Sequence, residues 1–261
     1  MKQLENAHAA TFRAVRFVLT DMDETLTYQG KLAAATYQAL EQLHHAGISV
    51  IPVTAAPAGW CDQMARMWPV AGVIGENGGL FYRRAQEGIA RHYWHDAQAK
   101  LTPQLAHIID DVKRQVPTAT LADDQPFRLT SIAFSRTADD EQNAAIINCM
   151  RSHGASVTVN NLWLLGWLGG YDKLVMARKV LREHYNLDID SDPDSVLYTG
   201  DSLNDAPMFA FFRHSVGVST VLECLDALPQ APAWITRGPG GAGFVEAANA
   251  LLASRAIKST R

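Results

Sequence analysis

Cysteine is scarce. Cys61, Cys149 and Cys224 are the only three in 261 residues. The number is odd and no pair is spaced as CxxC, which argues against a disulfide framework and a thiolate zinc site. Reduced thiols in a cytoplasmic protein are expected. The nine histidines form no HExxH motif; His44 and His45 fall in a helical pattern and read as a solvated face. No apolar run nears the roughly 18 residues that cross a bilayer. Residues 1–14 contain no apolar signal-peptide core, so no membrane partner is expected. Nor is there a basic run: Lys+Arg is 23, Asp+Glu is 27, and the net charge is −4. Nucleic-acid binding therefore has no electrostatic footprint. Charged residues make up only 19% and hydrophobic ones 48%. That composition suits a folded chain of one large domain or two unequal ones.

The apolar runs give the organisation. Residues 15–20 (VRFVLT) and 48–54 (ISVIPVT) are continuous rather than alternating, as in strands buried on both faces. Between them Leu32, Tyr37, Leu40 and Leu43 keep helical spacing, with Gly47 as the stop. A second helix is predicted over 58–67, then a strand at Val73 and Ile74 that ends in the turn 75–79 (GENGG). This β-α-β-α-β rhythm predicts an α/β fold with a doubly wound, mostly parallel sheet. From about 81 to 168 the rhythm breaks. Half-buried strands at 89–95, 129–134 and 156–160, and helices near 100–115 and 139–152, predict an inserted α+β domain. The core would then comprise 1–80 and 169–261. Its second part has a helical period at Leu174, Ala177 and Leu181, followed by strands at 196–199, 215–218 and 233–235.

Two acidic clusters fall at strand ends. Asp21 and Asp23 follow the first strand, and alternate residues of extended chain point the same way. In such sheets ligands bind beyond the carboxyl ends of the strands. Two converging carboxylates repel and favour a hard cation such as Mg²⁺. Taken alone, the pair is equally well a solvated turn. The second cluster, residues 200–205 (GDSLND), follows strand 196–199 and brings Asp201 and Asp205 to the same edge. By itself it could be a turn that caps a helix starting near Ala206. Thr54 ends the second strand, where its hydroxyl and the neighbouring N–H groups suit a phosphate. Lys173 opens the helix after the insert and offers a fixed positive charge.

In this order, Asp21-x-Asp23-x-Thr25, Thr54, Lys173 and Gly200-Asp201-x-x-Asn204-Asp205 resemble the four motifs of the haloacid dehalogenase-like phosphatases. The resemblance spans about 15–252. An insert between the second and third motifs, and the GENGG turn, resemble the Cof-type subclass IIB, which includes sucrose-phosphate and mannosyl-phosphoglycerate phosphatases. It implies a Rossmann-like core and a cap that acts as a lid. It also implies Mg²⁺-dependent hydrolysis of a small phosphoester, most readily a sugar phosphate. Asp21 would be the nucleophile and Asp23 the acid and base. Thr54, Ala55, Lys173 and Asn204 would hold phosphate. The metal would be held by Asp21, the Asp23 carbonyl and Asp201, with Asp205 orienting Lys173 or metal-bound water. Glu24, one residue off that side, would face away. One departure stands out: Thr54-Ala55-Ala56-Pro57 replaces the frequent Thr-Gly-Arg, losing a cation.

In the cap, Asn161 and Trp163 are candidates for gripping a sugar ring, with Asn160, Trp167 and Tyr171 beside them and Arg128 and Asp123 further off. The Trp residues more readily fill the cap core or hinge. The same residues admit a phosphomutase, a dehalogenase, or a receiver-like module that only responds to phosphorylation. Receivers are much shorter and lack the insert. Oligomeric state is unreadable from the sequence.

Overall fold

The computed structural model describes residues 1–8, 10–95, 98–160 and 162–256. Its elements begin with β1 (Lys2–Gln3), β2 (Phe17–Thr20), β3 (Thr27–Tyr28), β4 (Lys31–Leu32), α1 (Ala34–His45), β5 (Ser49–Pro52) and α2 (Ala58–Met67). Next come β6 (Val73–Gly75), β7 (Leu80–Arg84), β8 (Ile89–Tyr93), α3 (Gln98–Gln115), β9 (Ser131–Ser135), α4 (Asp140–Ser152), β10 (Ser156–Val159) and β11 (Trp163–Trp167). The chain continues through α5 (Lys173–Tyr185), β12 (Val196–Gly200), α6 (Ala206–Phe211), β13 (His214–Gly217), β14 (Trp234–Ile235) and α7 (Gly240–Ala256).

The central sheet has the order β1-β14-β13-β12-β2-β5, and every pairing in it is parallel. Its apolar strands bury both faces. Phe17, Leu19, Ile51, Val196 and Tyr198 pack with Met176, Val180 and Leu181 of α5 and with Met208 and Phe209 of α6. Val18, Val50, Leu197 and Val216 pack on the other side, with Leu40 and Leu43 of α1 and Phe244 and Leu251 of α7. Alternate side chains thus feed two separate cores, which is what a continuous apolar run makes possible. Because β2, β5 and β12 are parallel, the loops after them leave one edge of the sheet.

The expected domain boundary at residue 81 falls within β7. Thr54 N donates to Ile74 O and Val53 forms an isolated bridge to Ile74, so β6, in the separate sheet β6-β7-β8, is tied to the chain just after β5. β7 then pairs antiparallel with β6, and β8 with β7. Residues 80–93 are therefore linked through β6 to the chain just after β5. A half-buried alternating strand marks one exposed face, and the edge of a core sheet has one too.

The inserted cap is the antiparallel sheet β10-β11-β9 with α3 and α4 on one face. Ile132, Phe134 and Leu164 point to those helices. Ala133, Leu165 and Trp167 point the other way, where they meet Ala55 and Tyr171. β9 and β11 are thus largely buried rather than half-buried, because the core covers the face that the cap helices leave open. The three cysteines are free thiols. No helix among the described residues is long and apolar enough to cross a membrane.

Candidate active site

The carboxyl end of β2 carries Asp21, which is 4% exposed. Its backbone N–H donates to Thr199 O at 2.8 Å, which ties it to β12. Its Oδ1 accepts from Met22 N at 2.8 Å and lies 3.1 Å from Lys173 Nζ. Oδ2 has no donor among the described residues. Lys173 is buried at the first turn of α5, whose start is capped by Asp172 Oδ1 accepting from Val175 N. Its Nζ also donates to Asp205 Oδ1 at 2.8 Å. Burial disfavours the ammonium, but Asp205 and Asp21 outweigh it and raise the Lys173 pKa.

Asp205 is fully buried and fully engaged. Oδ1 accepts from Lys173 and from Tyr198 OH. Oδ2 accepts from Asp201 N at 3.0 Å and Ser202 N at 3.2 Å. The Ser202-to-Asp205 exchange is a capping box for the 3-10 turn 203–205. Asp201 is held differently. Its Oδ1 accepts from Thr25 Oγ1 at 3.0 Å, and Oδ2 has no donor among the described residues. One carboxylate oxygen from each of Asp21, Asp201 and Asp205 lies within 4.8 Å of the others. With its four donors, Asp205 acts as a brace for Lys173 and the 201–202 backbone. Asp21 and Asp201 keep open oxygens.

Three carboxylates thus surround one ammonium out of water. Burial, then the charges of Asp205 and Asp21, push Asp201 up to about 9. Burial, partly opposed by Lys173 and reinforced by Asp205 and Asp23, pushes Asp21 up to about 7. Asp23 lies at the mouth, where its side chain reaches solvent. Protein crowded around its carboxyl still raises its pKa, against the pull of Lys173. Glu24 turns toward the β3–β4 hairpin, accepting from Gln29 N at 2.9 Å.

Thr54 follows β5 with its side chain buried, and its Oγ1 accepts from Ala56 N at 3.0 Å. The hydroxyl proton remains for a ligand. Asn204 Oδ1 accepts from Ser202 Oγ at 2.7 Å, leaving its amide N–H groups. Trp163 is half-buried on the cap face that meets Ala55. Asn161 lies outside the described residues, and Asp123 is exposed.

Two residues have larger parts than the sequence suggested. Arg128 is almost wholly buried and grips Asp124 with two hydrogen bonds of 2.9 and 2.7 Å. Its Nη1 donates to Ala55 O at 3.0 Å, so a guanidinium from the cap stands against the loop that lacks its own cation. Glu76 is fully buried with φ at 48°. Its Oε1 accepts from Ala58 N and Leu129 N, and its Oε2 from Thr130 N, Thr130 Oγ1 and Ser131 Oγ. One carboxylate therefore staples the core to the start of cap strand β9. Gly78 has φ of 110°, and at Gly79 a β-carbon would overlap Thr130 Oγ1 and crowd Tyr171 OH. The glycines of GENGG let the start of β9 and the chain leaving the cap press on this turn. The sequence signal was that glycine pattern around a lone acid.

Solved structures share this architecture. The fold is that of haloacid dehalogenase-like hydrolases. A Thermoplasma acidophilum protein superposes with a TM-score of 0.72 at 18% identity, covering 92% of this chain and 99% of its own. A haloacid dehalogenase-like hydrolase from Bacteroides thetaiotaomicron gives 0.68 at 17% identity, covering 90% and 98%. A sugar phosphatase of haloacid dehalogenase subclass IIB gives 0.63 at 14% identity, covering 92% and 100%. No family model matches the sequence, and no curated protein matches it. The likeness to haloacid dehalogenase-like hydrolases is therefore one of fold, and it includes the inserted cap.

Proposed function

We propose that this chain is a Mg²⁺-dependent phosphatase of the Cof-type haloacid dehalogenase-like group. It hydrolyses a small phosphorylated metabolite, most readily a sugar phosphate, in the cytoplasm. The observation that carries the reading is the buried Asp21: one oxygen is pinned by Lys173 and Met22 N, the other is open, and Asp201 stands beside it.

The residues fit a divalent cation, since three buried carboxylates face a single ammonium and two of them keep open oxygens. Asp21, Asp201 and the Asp23 carbonyl would hold it. When bound, such an ion offsets the charge of the nucleophile and of the phosphate. Asp21 attacks phosphorus, and the bond to the leaving oxygen breaks as the aspartyl-phosphate forms. Asp23, its pKa raised, gives the leaving oxygen a proton, then takes one from the water that attacks the same phosphorus. The electron pair of the acyl-phosphate P–O bond returns to Asp21 and inorganic phosphate departs. Lys173, the Thr54 hydroxyl, the Ala55 N–H and the Asn204 amide steady the other oxygens. The core would comprise about 1–93 and 171–256, and the cap about 98–170 would choose the substrate.

The test is phosphate release from a panel of phosphorylated sugars, polyols and nucleotides with Mg²⁺. Asp21→Asn keeps the shape but cannot form the acyl phosphate, so turnover should fall below a few per cent while the fold persists. Retained turnover would remove Asp21 from the role.

A further inference from the structure

A second cluster of ligand-type side chains lies on the cap, away from the carboxylates. His107 and Asp111 are four apart on α3 and so share one face of it. His153 ends α4. One ligand atom from each of these residues falls within 4.8 Å of the others. We propose that His107, Asp111 and His153 form a transition-metal site of the zinc type that ties α3 to α4. This proposal does not rest on the phosphatase reading.

His107 Nε2 and His153 Nε2 both approach Asp111 Oδ2, at 3.8 and 2.9 Å. Zinc bonds of about 2.0–2.1 Å in a tetrahedron separate ligand atoms by roughly 3.3 Å. The observed spacings straddle that value, and small rotations of the two imidazoles would meet it. Arg114 holds Asp111 through its other oxygen, Oδ1, and so orients the carboxylate with Oδ2 turned to the two imidazoles. The side chains of His107, Asp111 and His153 are 64%, 13% and 25% exposed, so an ion reaches them from solvent. Three protein ligands leave a fourth position to water. Two imidazoles and a carboxylate suit Zn²⁺ or Co²⁺, whereas the all-oxygen set near Asp21 suits Mg²⁺. α3 and α4 cover the cap-sheet face opposite Trp167 and Ala55. The ion would therefore brace the cap from outside without entering the catalytic cleft.

The test uses the full chain with saturating Mg²⁺, titrated with Co²⁺ and then Zn²⁺. Wild type should show one equivalent of Co²⁺ with the intense visible absorption of a low-coordinate nitrogen-containing site. Zn²⁺ should abolish that absorption and raise the melting temperature. His107→Ala and His153→Ala should lose the absorption. Partners beyond the ligands are alone worth about 10–100-fold in affinity, so loss of a direct ligand should weaken Zn²⁺ binding at least about tenfold. The exposed His45→Ala should behave as wild type. Circular dichroism verifies that each variant folds, and Asp111→Asn, which keeps the shape, provides a second variant at the same site. Equal Zn²⁺ binding by wild type and the site variants would overturn the proposal. So would a cobalt spectrum as weak as that of an octahedral oxygen site, which would leave Asp111 as the centre of an ion-pair network only.

Discussion

At the scale of single residues, the clearest consequence of the site is competition between protons and a cation. Unfolded carboxylates titrate near 4, whereas burial holds Asp21 at about 7 and Asp201 at about 9. Between these values the folded chain keeps protons that the unfolded chain has released. The stability of the metal-free protein therefore falls as pH rises through that window. A cation needs the ionised forms and so binds better as pH rises, by up to about tenfold per pH unit for each proton displaced. The melting temperature without metal should drop from pH 6 to pH 8.5, and the rise on adding Mg²⁺ should be larger at pH 8.5. In Asp201→Asn, which cannot ionise, both effects should shrink. A Mg²⁺-induced shift that is the same at both pH values would refute the competition. Ca²⁺, with its larger and looser shell, should substitute poorly in turnover.

At the scale of elements, the GENGG turn is the joint between core and cap. Five donors from two segments, Ala58 and 129–131, meet on Glu76, two of them side-chain hydroxyls. Glu76→Gln replaces one acceptor oxygen with an NH₂ group facing donors. With charged hydrogen bonds worth about 1.5–3 kcal/mol each, the loss should be about 3 kcal/mol or more. Urea unfolding would measure it, and an unchanged midpoint would mean that the staple is dispensable. The sequence shows how such a joint escapes notice. Helices at 58–67 and 139–152 are legible because their apolar periods are long, and the central strands because they are apolar throughout. A lone acid between glycines reads as a solvated turn, since its five partners lie at Ala58 and 129–131. β1, β3 and β4 are two residues each, too short for any period. The β7–β8 hairpin is legible as strand, but alternation records burial and carries no label of the domain that supplies it. Asp21 and Asp201 are legible as a pair because parallel strands deliver their ends to one edge, and Lys173 with Asp205 through the order of the motifs, while the Tyr198 hydroxyl that also meets Asp205 is one no pattern announces.

At the scale of the whole molecule, the cap sheet has two faces with different duties. The face under α3 and α4 is an ordinary apolar core. The other is set against the loop at Ala55, so whatever projects from it helps shape the cleft. The two tryptophans of β11 separate along this line. Trp167 is buried, donates Nε1 to Tyr171 O at 2.8 Å and stacks with the Tyr171 ring at 6.0 Å, while Tyr171 OH donates to Thr130 O. It therefore ties the chain leaving the cap to the start of β9. Trp163, four residues earlier on the same face, is half-buried with no side-chain hydrogen bond among the described residues. Trp167→Ala should cost about 3–5 kcal/mol of stability and depress every substrate alike. Trp163→Ala should leave stability nearly intact and lower kcat/KM for the best sugar phosphate by about 1–3 kcal/mol of transition-state binding. p-Nitrophenyl phosphate lacks the sugar body that this ring would cover, so its turnover should change much less. Paired denaturation and kinetic measurements on the two variants separate the roles. An equal loss on both phosphoesters in Trp163→Ala would assign Trp163 to packing and move substrate choice elsewhere on the cap.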